Sequence, residues 1–171
     1  MGEFEQLEAR ERVIVALDCG RDEALRLARD LSGHARWLKV GMTLYYAEGP
    51  AIVYQLKAQG FKVFLDLKFN DIPHQVQGAA ASATACGADM LTMHATGGIA
   101  MMEGAQAGAL AKAQELSIPI PITLGITVLT SMDQQDLSDM GVQGSVEDQV
   151  VRLACLTQKA GISGVVASPQ E

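Results

Sequence analysis

The segment Phe64-Leu65-Asp66-Leu67-Lys68-Phe69-Asn70-Asp71-Ile72-Pro73 places an acid, a base and a second acid within six residues. In an extended strand alternate side chains share a face, so Asp66 and Lys68 are expected to point one way while Leu65 and Leu67 point the other. Asp71 follows on a loop, and Lys39 sits at the end of an earlier apolar run, Trp37 to Val40. Charges of alternating sign that converge on one volume can keep an ammonium charged and set it against negative charge developing in a reaction. The competing reading is a structural ion-pair network or solvated loop charge; four charges at successive strand ends favour chemistry.

Other elements must hold those ends together. Short β-branched apolar runs alternate with longer segments of helical spacing, the pattern of βαβ units. Strands are expected over 13–17, 37–40, 62–67, 90–93, 121–128 and 164–167, and helices over 22–31, 50–59, 73–86, 101–116 and 146–160. Pro50 and Pro73 suit first helical turns, and Gly33, Gly60, Gly87 and Gly161 stand where the chain leaves helices. Runs that are apolar on both faces belong to a parallel sheet covered by helices. The first βα turn reads Asp18-Cys19-Gly20-Arg21-Asp22, without the GxGxxG of a dinucleotide fold, and polar residues gather just past strand ends. The expected fold is therefore α/β, a (β/α)8 TIM barrel of which about six βα units are present in this chain. Residues 1–12 are expected to form an N-terminal extension, and residues 13–171 a barrel domain lacking its last two βα units.

Composition narrows the partners. Of 171 residues 49% are apolar and 19% charged, a globular balance. With 13 Lys and Arg against 20 Asp and Glu, the net charge of -7 argues against nucleic acid as a partner, while leaving room for a few cations gathered around an anionic metabolite. Cys19, Cys86 and Cys155 are widely spaced and odd in number, which suggests neither a disulfide framework nor a zinc site. No stretch approaches the ~18–20 charge-free residues of a membrane span, and a cytoplasmic location is expected. Met101 and Met102 read as core, His34 as loop surface, and His94, which ends the fourth strand, as a satisfied barrel histidine rather than a base.

The chain resembles the orotidine 5′-phosphate decarboxylase family. The resemblance runs from Val13 to Glu171 and rests on an ordered set: Ala16-Leu17-Asp18, Leu38-Lys39-Val40-Gly41, the Asp66/Lys68/Asp71 signature, His94-Ala95-Thr96-Gly97-Gly98, and Thr127-Val128-Leu129-Thr130-Ser131. DxKxxD alone recurs in a wider suprafamily; the five motifs in order are specific. The resemblance implies a (β/α)8 barrel that forms a homodimer with active sites at the subunit interface, and decarboxylation of orotidine 5′-phosphate to UMP without metal or organic cofactor. By the same match Lys68 stabilises the developing carbanion and delivers the proton, and Asp66 stands near the departing carboxylate. Lys39 completes the array with Asp71, which reaches in from the partner subunit. Asp18 would hydrogen-bond a ribose hydroxyl, Thr130 would meet the pyrimidine amide edge, and Ile72 and Gln75 would join the substrate-binding set.

The chain departs from the family pattern in two places. After Asp71-Ile72-Pro73 the family commonly has Asn-Thr, whereas this chain has His74-Gln75; the Gln75 amide is expected to replace the missing threonine contact. The family's phosphate grip, after strands seven and eight, has no counterpart before Glu171, so a truncated version of the enzyme is expected, or one completed by a partner. A magnesium-dependent sugar-phosphate lyase of the same suprafamily is the nearest rival, but it needs an acid where this chain has Lys39. A non-catalytic fragment that self-associates through open sheet edges is the rival from another class.

Overall fold

Strand order decides between the two parallel architectures. The computed structural model describes residues 8–168, and in it six strands form one parallel sheet in the order β1-β2-β3-β4-β5-β6. These are β1 (Ile14–Ala16), β2 (Trp37–Gly41), β3 (Lys62–Phe69), β4 (Met90–His94), β5 (Ile122–Ile126) and β6 (Gly164–Val166). A doubly wound sheet reverses its order at a switch point; this one never does, so each crossover advances the sheet by one strand and curls it into part of a (β/α)8 barrel. β1 and β6 are the edges of the sheet.

The helices are α1 (Ala9–Arg12), α2 (Arg21–Asp30), α3 (Met42–Glu48), α4 (Pro50–Ala58), α5 (Pro73–Ala85), α6 (Ile99–Leu116), α7 (Gln134–Asp139) and α8 (Val146–Lys159). The five expected helices all form, with Pro50 and Pro73 in first turns and Gly60 and Gly87 at positive φ just past helix ends. Three short ones were not foreseen. Residues 8–12 of the expected extension carry α1; residues 1–7, and 169–171 at the end of the expected barrel domain, lie outside the described residues. α3 and α7 each bury a single leucine, Leu44 and Leu137, too little for a periodic apolar pattern to register. The only sequence sign of α7 is its capping box, Asp133 with Asp136.

Two apolar layers flank the sheet. Leu38, Val40, Val63, Leu65, Leu91 and Met93 face the helices, where they meet α4, α5 and α6 residues such as Val53, Val76 and Met102. On the opposite face Trp37, Phe64 and Met90 pack together with Ile122 and Leu124, forming an apolar floor inside the curl. Met101 and Met102 are buried as expected. Asp89 fixes the start of β3 by accepting from Lys57 Nζ at 2.6 Å and from the Val63 amide at 2.8 Å. No helix among the described residues is long and apolar enough to cross a membrane.

Candidate active site

β3 carries the chemistry because its pleat is broken near its C-terminal end. It pairs with β4 at Leu65↔Leu91 and again at Phe69↔Met93, so Asp66, Leu67 and Lys68 stand opposite the single residue Thr92. Lys68 takes a left-handed conformation, φ 53°, which a residue with a Cβ adopts only where its surroundings enforce it. Bulges of this kind re-aim a side chain beside functional sites. Here the effect is to fold the Lys68 ammonium back to 2.8 Å from Asp66 Oδ2.

Asp66 is the centre of the cluster. Its side chain is 12% exposed, and its Oδ2 also lies 3.7 Å from Lys39 Nζ, while Oδ1 accepts from the Thr92 hydroxyl at 2.9 Å. Lys39 in turn donates to Asp18 Oδ1 at 3.1 Å, and Asp18 is 71% exposed. The order Asp18–Lys39–Asp66–Lys68 alternates in sign across the ends of three neighbouring strands. An ammonium held against carboxylate in a half-enclosed site is a strong electrostatic partner for negative charge arriving on a ligand.

Lys39, Asp66 and Lys68 line a cleft of about 280 Å³ above the apolar floor, with Phe64 beneath, Ile126, Val128, Leu129, Val166 and Ala167 along the wall, and Thr130 at the rim. Thr130 does not serve as the cap of α7, which is Asp133. His94 is half-buried at the end of β4; burial pushes its pKa below the ordinary 6.5, the Lys68 ammonium pushes the same way, and Asp66 opposes both.

Of the expected site residues, the structure brings together Asp18, Lys39, Asp66, Lys68 and Thr130. Asp71 takes no part in the ion pairs of this cluster within the described chain. Asp71 is exposed on the loop after β3, and its carboxylate Oδ1 accepts from the Ile72 amide at 2.6 Å. Ile72 and Gln75 are likewise exposed, at the first turn of α5.

Residues 11–171 match the family model described as the orotidine 5′-phosphate decarboxylase / HUMPS family. The chain belongs to that family. The orotidine 5′-phosphate decarboxylase of Moorella thermoacetica is 44% identical over 171 residues, covering 99% of this chain and 68% of the relative. The crystal structure of orotidine 5′-phosphate decarboxylase from Lactobacillus acidophilus superposes with a TM-score of 0.85 at 34% identity, covering 93% of this chain and 72% of that one. That of orotidine 5′-monophosphate decarboxylase from Methanocaldococcus jannaschii, complexed with the inhibitor BMP, shares the fold at a TM-score of 0.71 and 22% identity, over 91% of this chain and 66% of that one.

Within this decarboxylase-family scaffold, reading the sequence missed Thr92. The signal was present: a hydroxyl residue in the otherwise apolar run Met90-Leu91-Thr92-Met93, at the period-two positions shared with Met90 and His94 that face into the curl.

Proposed function

We propose that this chain decarboxylates orotidine 5′-phosphate to UMP in pyrimidine biosynthesis, using neither metal nor organic cofactor. The observation that carries the reading is the shared Asp66 Oδ2, with Lys68 Nζ at 2.8 Å and Lys39 Nζ at 3.7 Å beside a largely apolar wall. Breaking the bond between pyrimidine C6 and its carboxylate leaves the electron pair on C6, where no neighbouring group can absorb it. Placed positive charge is the remaining means of stabilisation. The Lys68 ammonium supplies it as CO2 departs and then gives its proton to the electron pair on C6, and the resulting amine takes a proton from water.

The other roles follow from position. Asp66 holds both ammoniums and stands by the departing carboxylate, Lys39 bridges Asp66 to Asp18, and Asp18 at the open end meets a ribose hydroxyl. Thr130 at the rim meets the amide edge of the base. Exposure of Asp71, Ile72 and Gln75 supports a homodimer in which this loop enters the neighbouring site and Asp71 completes the alternating array.

The test is turnover of orotidine 5′-phosphate followed by pyrimidine absorbance, with EDTA and with Lys68→Ala as controls. Turnover that survives EDTA and disappears in Lys68→Ala is expected. Magnesium-dependent turnover of a sugar phosphate would instead assign the chain to the lyases of the suprafamily. Self-association without saturable UMP binding would leave it non-catalytic.

A further inference from the structure

Thr92 is the one β4 residue opposite the three-residue bulge of β3, and it has no exposed surface. Its hydroxyl oxygen accepts from the Lys68 amide at 3.0 Å, and its hydrogen is donated to Asp66 Oδ1 at 2.9 Å. We infer that Thr92 is a positioning residue for the decarboxylation: one buried hydroxyl pins the left-handed backbone of Lys68 and orients the Asp66 carboxylate, and so sets the distance between ammonium and carboxylate. The kinetic part of this inference rests on the decarboxylase reading; the geometric part does not.

The direction of the hydrogen bonds gives the device its specificity. A hydroxyl has one hydrogen, and the Lys68 amide, a donor, occupies its oxygen, so that hydrogen goes to Asp66 Oδ1. Oδ1 is thereby committed to Thr92, which leaves Oδ2 to receive Lys68 at 2.8 Å and Lys39 at 3.7 Å. Asp66 is held at one oxygen by a neutral donor from β4 and at the other by cations from β2 and β3. Without the hydroxyl, the Lys68 amide and Asp66 Oδ1 both lose their partner in a site that admits little water, and the bulge has no tie to β4 at its centre. The carboxylate is then free to turn toward the ammoniums with both oxygens, which draws Lys68 away from the cleft.

The variants that test this are Thr92→Val, which keeps shape and branching but removes the hydroxyl, and Thr92→Ser, which keeps the hydroxyl. Thr92→Val is expected to lower kcat for orotidine 5′-phosphate about 10- to 100-fold with KM changed less than about threefold, as for a misplaced reacting group in an intact binding site. Thr92→Ser is expected to restore most of that loss. Hydrogen exchange of the Lys68 amide, read by NMR on the full chain, is expected to accelerate at least about tenfold in Thr92→Val while amides of α5 and α6 keep their protection, and to stay near wild type in Thr92→Ser.

Equal kcat in Thr92→Val and wild type, or a Thr92→Ser variant no better than Thr92→Val, would overturn the proposal. So would unchanged exchange at Lys68. A wild-type chain without turnover removes the decarboxylase reading and leaves exchange at Lys68 to decide whether Thr92 positions it. Should Thr92→Val fail to fold, Thr92→Asn offers a larger donor and acceptor at the same place; protected Lys68 exchange in that variant supports the tie, and its loss counts against it.

Discussion

The Lys68 ammonium lies 2.8 Å from Asp66 Oδ2, although the two residues are separated by only Leu67 on a strand whose pleat breaks between them. A regular strand would also have put both side chains on one face, but parallel and pointing away from the sheet. Left-handed φ at Lys68 instead turns the side chain back across the mouth of the curl. The pair is therefore set by backbone geometry as much as by attraction. Replacing Lys68 by arginine would preserve charge but not a compact ammonium at that point.

From this follows the sharpest catalytic expectation. Lys68→Ala removes both the charge opposite C6 and the proton donor, and kcat is expected to fall by at least about 10³-fold, within the range of losing an electrostatic stabiliser and a general acid together. Affinity for UMP, which bears no carboxylate at C6, is expected to change far less. Isothermal titration with UMP beside the absorbance assay separates the two; weakened affinity with kcat unchanged would mean that Lys68 serves binding alone.

Packing of α5 on α6 ties the scaffold to the loop that bears Asp71. A Cβ at Gly108 would run into the backbone carbonyl of Gln77, and one at Gly104 would come 2.9 Å from the carbonyl oxygen of Pro73, the first residue of α5. Backbone cannot step aside as a flexible side chain does. Gly108→Ala is expected to cost about 1–3 kcal/mol, the usual range for overpacking, measured by urea denaturation. Gly104→Ala shifts the start of α5, so a loss of kcat exceeding its loss of stability is expected; equal behaviour of the two variants would show that Pro73 is not held there.

Much of this was legible in the sequence because βα units announce themselves locally. Pro50 and Pro73 opened helices, Gly60 and Gly87 closed them, and doubly apolar runs became parallel strands. The ends of strands were less legible: β3 runs to Phe69 rather than Leu67, since a bulge preserves pairing after the alternation has failed. No residue type marks a bulge whose special conformation falls on a lysine rather than a glycine. The cluster Asp18, Lys39, Asp66 and Lys68 was readable from spacing and from family motifs, whereas Thr92 was not, because its importance lies in which strand faces it.

His94 gives the chain an acid limb. Burial and the Lys68 ammonium hold its pKa below 6.5, outweighing Asp66, so the folded state binds this proton less readily than the unfolded one. The contribution to stability is intact above the unfolded value of 6.5 and is lost as pH falls through the folded value. His94→Gln, which cannot take up the proton, is expected to flatten that part of the curve. Denaturant midpoints from pH 8 down to about pH 5 would show it; an unchanged slope in the variant would move the acid limb to other groups.

Asp71 supplies the decisive test of the shared site. Because its carboxylate is on an exposed loop and none of its partners in the chain is a lysine of the cleft, Asp71→Ala is expected to lose activity through the neighbouring subunit's site rather than its own. Lys68→Ala damages the site of its own chain. Mixing the two inactive variants and allowing subunits to exchange makes hybrid dimers in which one site carries both changes and the other carries neither. With random exchange half the dimers are hybrid and half of their sites are intact, so recovery to roughly a quarter of wild-type turnover is expected. If Asp71 acted within its own chain, every hybrid site would carry one defect and mixing would recover nothing, which would remove the partner's loop from the mechanism.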